Sequence, residues 1–87
     1  MNKVVAVRAN DNHTLDLKFS DGRAKRFDVK PYLEFGIFQQ LKDIRYFKCV
    51  RLALNTVQWP NEQDFSPDTL YLDGEDIDDF AKQHTAA

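Results

Sequence analysis

Apolar and polar positions alternate in three runs along the first third of the chain. Leu15, Leu17 and Phe19 fall on one side of a two-residue repeat and Asp16 and Lys18 on the other, the pattern of a strand with one buried and one wet face. Residues 3–9 come before it. They put Val4 and Ala6 on one face and Val5 and Val7 on the other, which predicts a central strand buried on both sides. A third run follows Asp21-Gly22, with Lys25, Phe27 and Val29 on one face and Arg26 and Asp28 on the other.

Parity decides the turn between the second and third runs, because cross-strand partners lie on the same face of a sheet. A two-residue loop at Asp21-Gly22 would set Leu17 opposite Arg26, mixing apolar with charged side chains. A three-residue loop, Ser20-Asp21-Gly22, pairs Phe19 with Arg23 and Leu15 with Phe27 instead, provided Gly22 adopts a positive φ as the bulge residue. Leu15, Leu17, Phe19, Phe27 and Val29 then share one surface.

Pro31 ends the third strand, since it donates no ladder hydrogen bond. Ile37, Leu41, Ile44 and Phe47 recur at helical spacing and predict a short helix or two turns re-capped at Asp43. Alternation returns over residues 49–54, with Val50, Leu52 and Leu54 on one side, and continues through Val57 and Trp59. An even-length loop at Leu54-Asn55 makes this a second hairpin, closed by Pro60. Ser66 followed by Pro67 and Asp68 reads as a helix start, and Gly74 as its stop. A last helix capped by Asp73 or Asp76 is expected to carry an apolar stripe of Ile77, Phe80 and Ala81.

At 87 residues and 10.2 kDa the chain has room for one core, and a radius of gyration of roughly 12 Å leaves little depth for an enclosed cofactor cavity. No long apolar run and no basic-then-apolar leader is visible, so the expectation is a cytoplasmic protein with no membrane segment. The single cysteine, Cys49, fits a reducing compartment and is expected to be a buried small hydrophobe.

The formal charge of −2 conceals an asymmetry. Residues 1–51 carry 11 Lys or Arg against 6 Asp or Glu, and residues 52–87 carry 1 against 8. Such a split bears on partners and solubility. Asp73, Glu75, Asp76, Asp78 and Asp79 lack the ligand spacing of a calcium loop. They read either as carboxylates gathered at a helix N-terminus or as an acidic docking surface for a basic partner. Lys42, Arg45 and Lys48 are the candidates for a nucleic-acid contact, against a pI near 5.5 and without a recognisable DNA- or RNA-binding motif.

Ser20 and Ser66 are explained by turn and cap, and His13 and His84 have no companion at metal-ligand spacing. The aromatic side chains read as core filling, with Trp59, beside Pro60, expected to keep an edge in solvent. No catalytic residue, cofactor site or metal site is predicted.

Phe19-Ser20-Asp21-Gly22, Phe27-Asp28-Val29, Tyr32-Leu33, Phe38, Leu41-Lys42-Asp43, Phe47, Val57-Gln58-Trp59-Pro60 and Asp64 through Ser66-Pro67-Asp68-Thr69-Leu70-Tyr71 together resemble the bacterial family catalogued as domain of unknown function 2442. The resemblance spans about residues 1 to 72. It implies a small α+β domain with no established activity, often encoded beside a small toxin-like gene, and hence an antitoxin-like or regulatory role. Some relatives carry an added helix-turn-helix, for which the 16 residues after Tyr71 leave no room.

The expectation is therefore a single α+β domain over residues 1–72, followed by an acidic helix and tail over 73–87. Its architecture would be an N-terminal three-stranded antiparallel β-meander, a short helical segment, a β-hairpin and C-terminal helices packed on one sheet face. The expected function is a protein-interaction module that binds a small basic protein, with a nucleic-acid-binding regulator as the alternative.

Overall fold

The first three runs form the expected meander: β1 (Val4–Ala9), β2 (Thr14–Phe19) and β3 (Ala24–Asp28). The structure, a computed structural model, describes residues 2–78. Leu15 lies opposite Phe27 and Leu17 opposite Lys25. The Phe19 amide donates to the Arg23 carbonyl at 2.9 Å, and Gly22 has φ +93°, so the three-residue bulged loop is present. A Cβ at Gly22 would have open space around it, so the need for glycine there is conformational.

β1 differs from the expectation of a central strand. It is the edge of its sheet, and its register shifts between Val4 and Ala6. This bulge breaks the two-residue parity. Val4 and Val7 both turn inward, opposite Phe19 and Leu17, while Val5 is left 50% exposed.

The fourth strand of this sheet was not expected. Residues 75–77, read as the approach to a final helix, instead form β7 (Glu75–Ile77), which pairs antiparallel with β3, matching Lys25 to Asp76 and Arg26 to Glu75. Opposite charges facing each other across strands contribute about 0.2–1 kcal/mol per pair, and a helix here would forgo them. Phe80, Ala81 and Asp79 lie outside the described residues. Gly74 makes the entry to β7 possible, since a Cβ there would stand 2.5 Å from the Leu70 carbonyl oxygen.

Between the sheets, the 3₁₀ turns Lys30–Tyr32 and Gly36–Lys42 lead into α1 (Ile44–Phe47). Asp43 re-caps the chain as expected, its side chain accepting from the Arg45 amide at 3.0 Å. Leu41 and Phe47 are buried, but Ile37 is exposed and Phe38 packs inward instead. A 3₁₀ repeat of three residues aligns Phe38, not Ile37, with Leu41.

β4 (Arg51–Ala53) and β5 (Thr56–Gln58) form the second hairpin, and β6 (Asp64–Phe65) completes a three-stranded sheet in the order β4-β5-β6. The loop has two residues, with Leu54 and Asn55 at φ +53° and +68°, both in the left-handed region. Leu52 and Leu54 stay exposed. Trp59, expected at the surface, is fully buried and donates from its indole Nε1 to the Phe47 carbonyl at 2.7 Å. Cys49, expected to be buried, is exposed.

The short helix α2 (Pro67–Asp73) begins where Ser66 Oγ accepts from the Asp68 amide at 3.2 Å. It is the one C-terminal helix among the described residues, and it places Leu70 in the core and Tyr71 edge-on against Phe19. Leu17, Phe27, Val57 and Trp59 enclose one common interior shared by the two sheets. Among the described residues no helix is long and apolar enough to cross a membrane.

Candidate functional site

The most strongly built polar site lies on the outer face of the four-stranded sheet. Cross-strand pairing puts Arg8, Asp16 and Arg26 in one row over three adjacent strands. Asp16 is fully buried there. One of its oxygens accepts from Arg26 Nε at 2.7 Å and Asn10 Nδ2 at 3.0 Å, and the other from Arg8 Nη2 at 2.8 Å and Arg26 Nη2 at 3.2 Å. Burial pushes its carboxyl upward, but the bonds from Arg26, Arg8 and Asn10 together outweigh that and hold it below the usual carboxylate range. Its acceptor sites are all used, so it is a structural anion with no capacity left for a proton-transfer role.

A second cluster latches the C-terminal elements to the first hairpin. Lys25 is 8% exposed, with its Nζ 3.0 Å from Asp76 and 4.7 Å from the centre of the Tyr71 ring. The Tyr71 hydroxyl donates to Asp21 at 2.6 Å. That bond holds the Asp21 carboxyl low and pushes the Tyr71 hydroxyl up. Arg23 stands 3.8 Å from Asp21 and 3.7 Å from Asp76, closing the ring of contacts. Asp21 and Tyr71, both within the quoted motifs but 50 positions apart, are thus direct partners.

The five acidic candidates separate by role. Asp76 is engaged by Lys25 and Arg23, and Glu75 faces Arg26 across the strands. Asp73 ends α2 and Asp78 follows β7; both are exposed and make no ion pair among the described residues. Asp79 lies outside the described residues. Asp73, Glu75 and Asp76 do not cap a helix, because residues 75–77 form a strand; it is Asp68 that sits in the first turn of α2. The same surface carries Leu72, 77% exposed, one helical turn beyond Asp68. Sequence reasoning missed Leu72. The available signal was that a seven-residue helix buries one face, which Leu70 already supplies.

The basic candidates lie together on the segment between the sheets but are partly neutralised. Lys42 reaches Glu34 at 3.0 Å, Lys48 pairs with Asp11, and Arg45 is exposed on α1. His13 packs on Phe47 and contacts the Lys42 carbonyl oxygen at 3.2 Å. Among the described residues no group of three or more His, Cys, Asp or Glu is placed to hold a metal ion.

Comparison with known families identifies one match. The model of a family described as protein of unknown function, DUF2442, matches residues 4–76. The chain belongs to this family. The matched span runs through most of β7, past residue 72 where the quoted motifs end, so the strand that latches onto β3 lies within the family's domain. Asp21, Lys25, Tyr71 and Asp76 all fall inside it, and Asp78 and Asp79 outside. No curated protein and no solved structure matches the chain.

Proposed function

We propose that the protein is an interaction module that docks a small basic protein, in an antitoxin-like or regulatory role, through the outer surface of α2 and β7. The observation that carries this reading is that Asp68, Asp73 and Asp78 are exposed and without ion pairs among the described residues, on elements held in place by the Lys25–Asp76 contact. Exposed carboxylates fixed on an ordered element steer a cationic partner and favour it over neutral competitors. The exposed Leu72 adds an apolar anchor among them.

The nucleic-acid reading is weaker. A phosphate-binding row needs free cations, and Lys42 and Lys48 are each already beside a carboxylate.

The test is co-expression with the product of the adjacent gene, followed by capture of the complex. Reversal of Asp68, Asp73 and Asp78 to lysine should abolish capture while leaving the fold intact by circular dichroism. Asp76 is left unchanged in this experiment because it pairs with Lys25 and Arg23. Capture that survives the triple reversal would overturn the reading.

A further inference from the structure

The two edges of the four-stranded sheet are finished differently. β1 is closed off: its register shifts between Val4 and Ala6, and the Val4 amide is spent on the Asn55 carbonyl at 2.9 Å. β7, at the other edge, pairs with β3 in regular register and with no other strand among the described residues. It has no proline and no bulge, and Glu75, Asp76 and Asp78 are exposed.

Backbone alternation identifies which of its groups are open. The Phe19 amide donates to the Arg23 carbonyl and the Val29 amide to the His13 carbonyl, so the odd-numbered residues of β3 turn their N–H and C=O toward β2. Ala24 and Arg26 therefore turn theirs toward β7, where they meet Ile77 and Glu75. Asp76, between these two, points its own N–H and C=O away from β3 to the open edge. An edge of this kind is completed by an extended segment of another chain.

The side chains define the chemistry of that segment. Across the outer face the row Arg8, Asp16, Arg26, Glu75 alternates in sign strand by strand and stops on an exposed anion. A fifth strand continues it with a cation opposite Glu75. The neighbouring row ends with Ala24 and Ile77, and Ile77 is half-buried, so the residue beside it on a fifth strand is apolar. Asp78, exposed and making no ion pair among the described residues, takes a second cation. Another copy of β7 is unsuited, because antiparallel pairing about this edge sets Asp76 against Asp76.

We propose that the basic partner adds an extended segment to β7 as a fifth, antiparallel strand. Its residues read cation, apolar, any, cation, lying opposite Asp78, Ile77, Asp76 and Glu75 in turn. This rests on the reading of α2 and β7 as the docking surface and goes beyond it by fixing the backbone conformation and residue order of what docks.

The probe is a short acetylated and amidated peptide with the core Lys-Val-Thr-Arg, titrated into the purified chain. Binding should protect the Asp76 amide from hydrogen exchange and leave the Ile77 amide, already turned to β3, as it was. Methylating the peptide's threonine nitrogen, which donates to the Asp76 carbonyl in this register, should weaken binding about tenfold. Methylating its arginine nitrogen, which points away, should leave the affinity unchanged. Glu75→Gln should weaken binding about threefold, because the charge row ends there. Absence of binding, equal affinity of the two methylated peptides, or a bound state in which the Asp76 amide exchanges as before would each overturn the proposal. Loss of partner capture on the triple reversal, together with either of the last two outcomes, would keep the docking surface and sink the strand addition.

Discussion

The two sheets solve the problem of polar groups in opposite ways. The four-stranded sheet closes over an ion, with Asp16 buried under Arg8, Arg26 and Asn10. The three-stranded sheet is fixed by a neutral amide. Gln63, 1% exposed, donates to the Ile37 carbonyl and to Gln40 Oε1, both at 3.0 Å, and accepts from the Tyr46 hydroxyl at 2.8 Å. Asp16 ties together neighbouring strands of one meander, with partners 6 to 10 positions away, whereas Gln63 joins segments 17 to 26 positions apart. Their energetics differ because a buried charge demands full compensation, whereas an amide costs less to bury and responds neither to pH nor, in the main, to salt.

The largest effect should come from breaking the ionic side. Asp16→Ala strands Arg8 and Arg26 beside each other and should cost about 3–5 kcal/mol, read from urea denaturation. The same residue should set the acid response. Its folded pKa is depressed, so its contribution is present above the unfolded value of about 3.9 and is lost as pH falls through the folded value. Stability measured down through pH 4 should therefore drop in the parent chain and flatten in Asp16→Asn.

On the neutral side, Gln63→Ala should cost about 1–3 kcal/mol, because the Tyr46 hydroxyl loses its acceptor and the Ile37 carbonyl its donor. It should leave the acid profile parallel to that of the parent, and a flattened profile in this variant would erase the distinction between the sheets. A smaller change of opposite sign is expected in the small sheet's hairpin. Leu54→Asn relieves a left-handed leucine and should stabilise by about 1 kcal/mol, visible as a higher Tm. The smallest effect belongs to the exposed end of the ionic sheet. Asp76→Asn should cost about 0.2–1 kcal/mol and matter less at high salt, because Asp76 is 66% exposed.

Much of this architecture was legible where local rules act alone. Parity of Leu15, Leu17, Phe19 and Phe27 specified the bulged turn at Gly22, and Asp43 and Ser66 announced their helix starts through side-chain capping. The failures share a cause. Residues 75–77 have no strong preference of their own, and they become a strand because β3 offers an unpaired edge bearing Lys25 and Arg26. Trp59 looked like a surface residue beside Pro60, yet its burial depends on the Phe47 carbonyl brought from another segment. Val5 left the interior through a bulge that no alternation pattern announces.

The candidate site shows the same division. Its acidity was evident from composition, while the availability of each carboxylate was not. The split of +5 and −7 between residues 1–51 and 52–87 suggested two opposed poles, but the β3–β7 register places part of the acid directly against part of the base.

By itself the order of residues determined the strands of the first meander, its turn, the helix caps and the family, since each depends on neighbours a few positions apart. Tertiary structure alone decided that Asp76 is engaged, that Asp73 and Asp78 remain without ion pairs among the described residues, and that Leu54 and Leu72 face water. Those outcomes depend on contacts between segments far apart in the chain, and a charge or an apolar surface is available to a partner only after the fold has used what it needs.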